Sequence, residues 1–248
     1  MGKTHEALER AEKEHHKRLI TIPTDFRKKL VVKEPKKYPI QTSREQFHEI
    51  KGKLITCFPE KSIKTILMVG VAEGSGTSST AIGFATTLAR DCRLKVLLID
   101  ANLRSPSLHE FFKIEHNIGL SNILTERIDE TKLFTRVGHG NLHIIPCGKN
   151  CKGPLSIFES DRFEKKLKMM REEFDCVILD APPVNNSVET KVMSKKVDGV
   201  ILVVESGRTR RPTAIKAKKE LEQAGAKIIG VILNRRKYYI PEWIYKRL

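Results

Sequence analysis

The sequence predicts an α/β fold: a mostly parallel, doubly wound sheet flanked by helices, preceded by an N-terminal helical and extended arm. Three observations point there. Near-continuous apolar runs recur at residues 66–71, 94–100, 142–146, 176–180, 199–205 and 228–233, as expected of parallel strands buried on both faces. Segments with helical spacing separate these runs, the alternation from which βαβ units are built. Between the first run and the first helical segment lies a small-residue turn, residues 73–80, in which Gly74 and Gly76 precede the serines and threonine that open a helix.

Taken in order, residues 4–19 are charged and helix-favouring, with only a thin apolar stripe of Ala7, Leu8, Ala11 and Leu19. Such a helix docks weakly or waits for a partner. Residues 20–42 carry Pro23, Pro35 and Pro39 among bases and read as an extended linker. Ser43 then stands as N-cap of a helix reaching about Leu54, with Phe47, Ile50 and Leu54 on one side. The expected organisation is a basic helix and linker over 1–42, a core domain over 43–236 and a tyrosine-containing tail over 237–248. Within the core, residues 158–174 have helical spacing with Phe163, Leu167 and Met170 inward. Further helices are expected over 188–195 and 212–224.

Composition narrows the function classes. Apolar residues make up 40% and charged residues 31% of the 248, which suits a soluble domain. No run approaches the roughly 18 apolar residues of a membrane span, and the N-terminus is a charged helix and not a signal peptide, so a cytoplasmic location is expected. Cys57, Cys92, Cys147, Cys151 and Cys176 lie mostly in apolar segments and read as buried thiols. The net charge of +16 calls for an anionic partner: nucleic acid, lipid or an acidic protein surface. Aromatics are not interleaved with the bases as in single-strand stacking platforms. A membrane-adjacent or adaptor-bound surface is therefore favoured over a nucleic-acid reader.

Parallel sheets bind ligands beyond the carboxyl ends of their strands, and three strand ends carry candidate chemistry. The first is the loop Gly74, Ser75, Gly76, Thr77, Ser78, Ser79. Its glycines allow a phosphate close to the backbone, and Ser78 stands where a hydroxyl would ligate Mg²⁺. Alone, such a turn could equally serve only to join strand to helix. The second is Asp100, ending a buried strand, with Arg104 four residues on. The third is Asp180, ending another, followed at once by Pro182 and Pro183. A carboxylate so placed needs a cation or donors, and Asp180 suits Mg²⁺. Each Asp could also be a plain cap or turn residue.

With these motifs in place the chain resembles the bacterial tyrosine kinases of capsule and exopolysaccharide synthesis, relatives of the MinD-type ATPases. The resemblance rests on the phosphate loop, on the apolar run ending Asp100-Ala101-Asn102-Leu103-Arg104, and on the apolar run ending Asp180-Ala181-Pro182-Pro183. It extends over roughly residues 45–236. It implies a P-loop fold that binds ATP with Mg²⁺, with Ser78, Asp100 and Asp180 around the metal. Asp100 would activate a tyrosine hydroxyl, Asn234 would contact the nucleotide, and Tyr238, Tyr239 and Tyr245 would be phosphoacceptors. The implied partners are a membrane adaptor, the chain-length regulator of polysaccharide export, and further copies of the chain; the implied location is cytoplasmic and peripheral to the inner membrane. Glu45, His48 and Lys51 hold the family's subunit-contact positions in softened form. The tail could equally pack around Trp243, and Asn234 could simply end a strand.

Two departures qualify the activity. Thr77 stands where the loop Lys is expected, and Asn102 replaces the second Asp of the acidic motif. A cation about 4 Å from the transferred group, at an effective dielectric near 20, is worth about 4 kcal/mol, or about a thousandfold in rate. Arg104 or a base from a neighbouring subunit could replace it. Three readings follow: an ATP-dependent protein-tyrosine kinase, a catalytically impaired nucleotide-binding scaffold of the same system, and a MinD- or ParA-type partition ATPase.

Overall fold

A computed structural model describes residues 63–126, 133–138, 140–149 and 153–235, together with 47–49, 52 and 128. The expected arm over 1–42, Glu45, Lys51, and the tail with Tyr238, Tyr239, Trp243 and Tyr245 lie outside the described residues.

The chain runs β1 (Thr65–Gly70), α1 (Thr77–Arg90), β2 (Val96–Asp100), α2 (Leu108–Phe112), α3 (Leu120–Thr125), β3 (Thr135–Arg136) and β4 (Leu142–Ile145). It continues through α4 (Pro154–Glu159), α5 (Asp161–Glu173), β5 (Cys176–Ala181), a 3₁₀ turn (Val184–Asn186), α6 (Val188–Ser194), β6 (Gly199–Glu205), α7 (Arg211–Gln223) and β7 (Ile228–Asn234). Among the described residues these strands make one seven-stranded sheet, ordered β3-β4-β2-β5-β1-β6-β7. Every pairing is parallel except that of the edge strand β3 with β4.

β1 lies between β5 and β6, and all six of its residues are buried. That position explains its unbroken apolar run: Leu67 and Val69 enter the core on one face, Ile66 and Met68 the core on the other. Side chains of α1 and α2, such as Ile82, Phe84 and Phe112, close one face. Phe158, Phe163, Leu167 and Leu221 from α4, α5 and α7 close the other. Phe47 is buried on the α1 side, its ring centroid 6.1 Å from that of Phe84. Cys147 and Cys176 are buried thiols outside any disulfide and Cys92 is half-buried; burial, then the charges of Asp175 and Asp198, push the Cys176 thiol up to about 12.

The structure departs from the sequence expectation in three places. The helix expected over 158–174 is two helices. Ser160 adopts extended backbone between α4 and α5, and its hydroxyl accepts the Phe163 N–H at 3.4 Å, capping α5. β3 is a two-residue edge strand, too short to carry any periodicity. β7 is the opposite edge, where Val231 and Leu233 are exposed although they belong to an apolar run. The parallel arrangement brings the carboxyl ends of β1, β2, β5, β6 and β7 to one side of the sheet.

Candidate phosphate and metal site

At that side, the turn after β1 folds around Ser75. Its hydroxyl donates to the Ala72 carbonyl at 2.7 Å, and its backbone N–H donates to the same oxygen at 3.3 Å. Gly74 and Gly76 have φ of 80° and 77°, left-handed values that side chains with a Cβ rarely adopt. Gly76 is the N-cap of α1, and no side chain caps that helix. The Thr80 N–H is the first to turn inward, donating to the Gly76 carbonyl at 3.0 Å. The backbone donors of Thr77, Ser78 and Ser79 thus lead a 14-residue helix with the positive end of its dipole. The six loop residues from Gly74 to Ser79 line a cleft of about 680 Å³, faced by Asn102, Arg104, Pro182 and Arg235.

Beside this cleft the two expected carboxylates come together. Asp100 and Asp180 end β2 and β5 and are partners in the register of those strands. Both are almost fully buried. Asp100 Oδ1 accepts the Asn102 N–H at 3.3 Å, and Oδ2 accepts the N–H groups of Ser107 and Leu108, each at 3.0 Å. Burial pushes its carboxyl up to about 6, against the pull of those three N–H groups and of His109. Both oxygens of Asp180 are buried without a well-formed hydrogen bond. Burial first and the Asp100 charge second push Asp180 up to about 8, with the Ser78 hydroxyl acting in the opposite direction. An orphaned, buried carboxylate beside a second one and a serine hydroxyl is a donor set that fits a hard divalent cation.

Arg104 lines the cleft, but its guanidinium is engaged: Nη2 and Nε donate to Glu189 Oε1 at 2.6 and 3.2 Å. Burial opposes ionisation of Glu189. Hydrogen bonds from Arg104, its own backbone N–H and Ser187, with the Arg104 charge, outweigh this and hold the carboxyl below its ordinary range. Asn234 ends β7, and its amide nitrogen donates to the Ser75 carbonyl at 3.0 Å while its oxygen accepts the Arg235 N–H at 2.9 Å. Its side chain is therefore committed to the loop backbone. His48 is exposed, with Nε2 3.2 Å from Asp91 Oδ2 at the far end of α1.

An AAA domain family matches residues 63–223, which span the loop and both aspartates. The tyrosine-protein kinase CpsD of Streptococcus agalactiae serotype III (strain NEM316) is 34% identical over 179 residues, 72% of this chain and 77% of that one. The chain belongs to the bacterial tyrosine-kinase family. A second relative in this family, the tyrosine-protein kinase YwqD of Bacillus subtilis (strain 168), is 28% identical over 199 residues, 80% of this chain and 84% of its own. Among solved structures, the kinase domain of the Escherichia coli tyrosine kinase ETK superposes with a TM-score of 0.74 at 26% identity, covering 80% of this chain and 79% of that one. The cell division ATPase MinD of Pyrococcus furiosus, with a TM-score of 0.59 at 19% identity over 69% of this chain and 72% of its own, shares the fold. No helix among the described residues is long and apolar enough to cross a membrane.

Residue-by-residue reading of the sequence located the loop, Asp100, Asp180 and Arg104 in one place. It missed Glu189, which holds Arg104, and the cluster of Glu205, Arg208 and Arg235 beside the loop. Arg208 and Arg235 were visible only as part of the general positive charge, because Arg235 meets Glu205 through the pairing of β6 with β7 and Arg208 through the turn that follows β6.

Proposed function

We propose that this chain binds Mg·ATP in the cleft over the glycine loop and transfers the γ-phosphoryl group to a protein tyrosine in a capsular or exopolysaccharide system. The observation that carries this reading is the orphaned Asp180 carboxylate in register with Asp100, behind a loop of left-handed glycines. Ser78, Asp100 and Asp180 would hold Mg²⁺, which when bound neutralises charge on the phosphates. The N–H groups at the start of α1 donate to phosphate oxygens, and Arg104 stands at the rim as a donor whose charge is balanced by Glu189. The tyrosine oxygen bonds to the γ-phosphorus as the bond to the β,γ-bridging oxygen breaks, leaving ADP. Asp100 accepts the hydroxyl proton. Asn234 holds the loop from behind, and Tyr238, Tyr239 and Tyr245 are the acceptors, in this or another copy. The basic arm serves a membrane-bound adaptor of polysaccharide export at the cytoplasmic face of an anionic membrane.

Purified protein incubated with Mg·ATP is expected to gain phosphotyrosine, and the Asp100→Asn variant to lose it. Absence of phosphotyrosine in both overturns the kinase reading.

A specific observation favours a second reading, a nucleotide-binding scaffold with impaired transfer. Both Asp100 oxygens are already occupied by backbone N–H groups, and Thr77 brings no charge. Calorimetry showing ATP bound at one site per chain without turnover supports the scaffold; sustained ADP release excludes it.

A further inference from the structure

We infer that Arg208 and Arg235, held together by Glu205, bring to the phosphates of a bound nucleotide the positive charge that Thr77 does not supply. This rests on the nucleotide reading of the cleft and adds the residues that complete its electrostatics.

The Thr77 side chain is turned back to the end of β1. Its Oγ1 lies 2.5 Å from where a Cβ on Gly70 would stand, so the absence of a side chain at Gly70 makes room for it. Two guanidiniums lie against the loop instead. Arg208 Nη1 is 3.2 Å from the place of a Cβ on Gly74, and Arg235 Nε is 3.9 Å from the place of a Cβ on Gly76. The fold brings them there from different elements. β6 and β7 pair in register with Glu205 opposite Asn234, so Arg235 follows immediately beside Glu205. After β6 the chain turns at Gly207, with φ of 76°, and the Thr209 N–H closes that turn on the Glu205 carbonyl at 3.0 Å. Arg208 is thereby directed to the same carboxylate.

Glu205 Oε1 lies 3.0 Å from Arg235 Nη1, and Oε2 lies 3.5 Å from Arg208 Nη1. One carboxylate shared between two guanidiniums leaves one net positive charge next to the glycine turn, the same charge a loop lysine would bring. Arg104 differs, since it and Glu189 form a one-to-one pair that cancels. Glu73 and Glu110 also line the cleft, which strengthens the need for a cation there. Arginine suits the task because its planar fork donates to two phosphate oxygens at once.

The test is calorimetric titration of the full chain with Mg·ATP, Mg·ADP and AMP. Wild type is compared with R208A/R235A, with R208K/R235K, and with R208A/R235A carrying T77K. Removing both arginines is expected to weaken ATP binding by about tenfold or more. The loss shrinks from ATP to AMP, because the cluster acts on phosphates. The lysine pair retains most of the affinity, and T77K restores part of what the double alanine loses. A structural role would weaken all three nucleotides alike and would not respond to T77K. Unchanged ATP affinity in R208A/R235A, or an equal loss for AMP, overturns the inference while leaving the nucleotide site intact. A wild-type chain that binds neither ATP nor ADP overturns both. Should the double alanine chain not fold, the single variants R208A and R235A carry the same comparison.

Discussion

Asp100 and Asp180 sit directly opposite each other at the carboxyl ends of two adjacent parallel strands, one with three backbone donors and the other with none. Two buried carboxylates side by side resist ionising together, and the second of them has no backbone donor and only the Ser78 hydroxyl acting in its favour. That imbalance is what supports the proposed metal site.

That relationship sets a pH dependence. An acid whose native carboxyl is raised keeps a proton that the unfolded chain has lost above about pH 4. The native state then binds more protons than the unfolded state, and stability falls as pH rises. For Asp100 and Asp180 the window runs from the ordinary Asp range up through about 6 and about 8. Thermal unfolding without ligand is expected to occur at progressively lower temperature across that window. Asp180→Asn should remove much of the decline and raise the midpoint above pH about 8 by roughly 2–4 °C. Magnesium with ATP should stabilise wild type and leave Asp180→Asn nearly unaffected. A flat stability profile between those limits in wild type would contradict the burial of the pair.

Asp100 also has a structural task that separates its substitutions. Its Oδ2 receives the N–H groups that open α2, and its Oδ1 receives that of Asn102. Asp100→Ala leaves three backbone donors without their acceptor, at a cost of about 1–3 kcal/mol for each that water does not reach. Asp100→Asn keeps one carbonyl oxygen for Ser107 and Leu108 and should lose clearly less. Chemical denaturation of the two variants beside wild type measures the difference. Loss of phosphotyrosine in Asp100→Asn, with near-native stability, then reports on the chemistry of the site, metal holding or proton transfer, rather than on the fold.

The legible and illegible parts of this molecule divide by how far apart the interacting residues lie. β1, β2, β5 and β6 were readable because burial on both faces requires an apolar residue at nearly every position. The glycine loop and both aspartates were readable as strand ends. The break at Ser160 was written in Ser-Asp, a good N-cap followed by an acidic first turn, but the apolar spacing continues across it and concealed the break. The exposure of Val231 and Leu233 could not be read, since an edge strand and a central strand have the same composition here. The Asp100 bonds to Ser107 and Leu108 and the meeting of Glu205 with Arg208 arise from folding of the loops after β2 and β6, and the meeting of Glu205 with Arg235 from the pairing of β6 with β7. No spacing in the sequence encodes them.

The loop depends on Asn234 as much as on its glycines. A Cβ on Gly76 would collide with the Asn234 amide nitrogen, which donates to the Ser75 carbonyl. Gly76→Ala must also hold a left-handed φ, so a loss of about 1–3 kcal/mol is expected. Asn234→Ala leaves that carbonyl without its buried donor and should cost about 1–2 kcal/mol. Because both act on one contact, their effects should fall short of additive in the double variant, by about 0.5 kcal/mol or more. Urea unfolding of the two single variants and the double variant tests this; strict additivity would place Asn234 outside the loop's support.

Arg104 and Glu189 give the opposite pH signature from the aspartate pair. Glu189 is held below its ordinary range in the native state, so it contributes stability above the ordinary Glu range near 4.3, and that contribution is lost as pH falls through the depressed native value. Its carboxylate also accepts the Ser187 hydroxyl at 2.8 Å, and that same hydroxyl accepts the Thr190 N–H at the start of α6. Arg104 is 61% exposed, which screens the pair and limits its share to about 1 kcal/mol or less. Glu189→Gln should therefore lower stability slightly at neutral pH and flatten the acid limb of the unfolding profile, leaving in place the decline that runs from the ordinary Asp range up to about 6 for Asp100 and about 8 for Asp180. An acid limb as steep as that of wild type would mean that another carboxylate controls it.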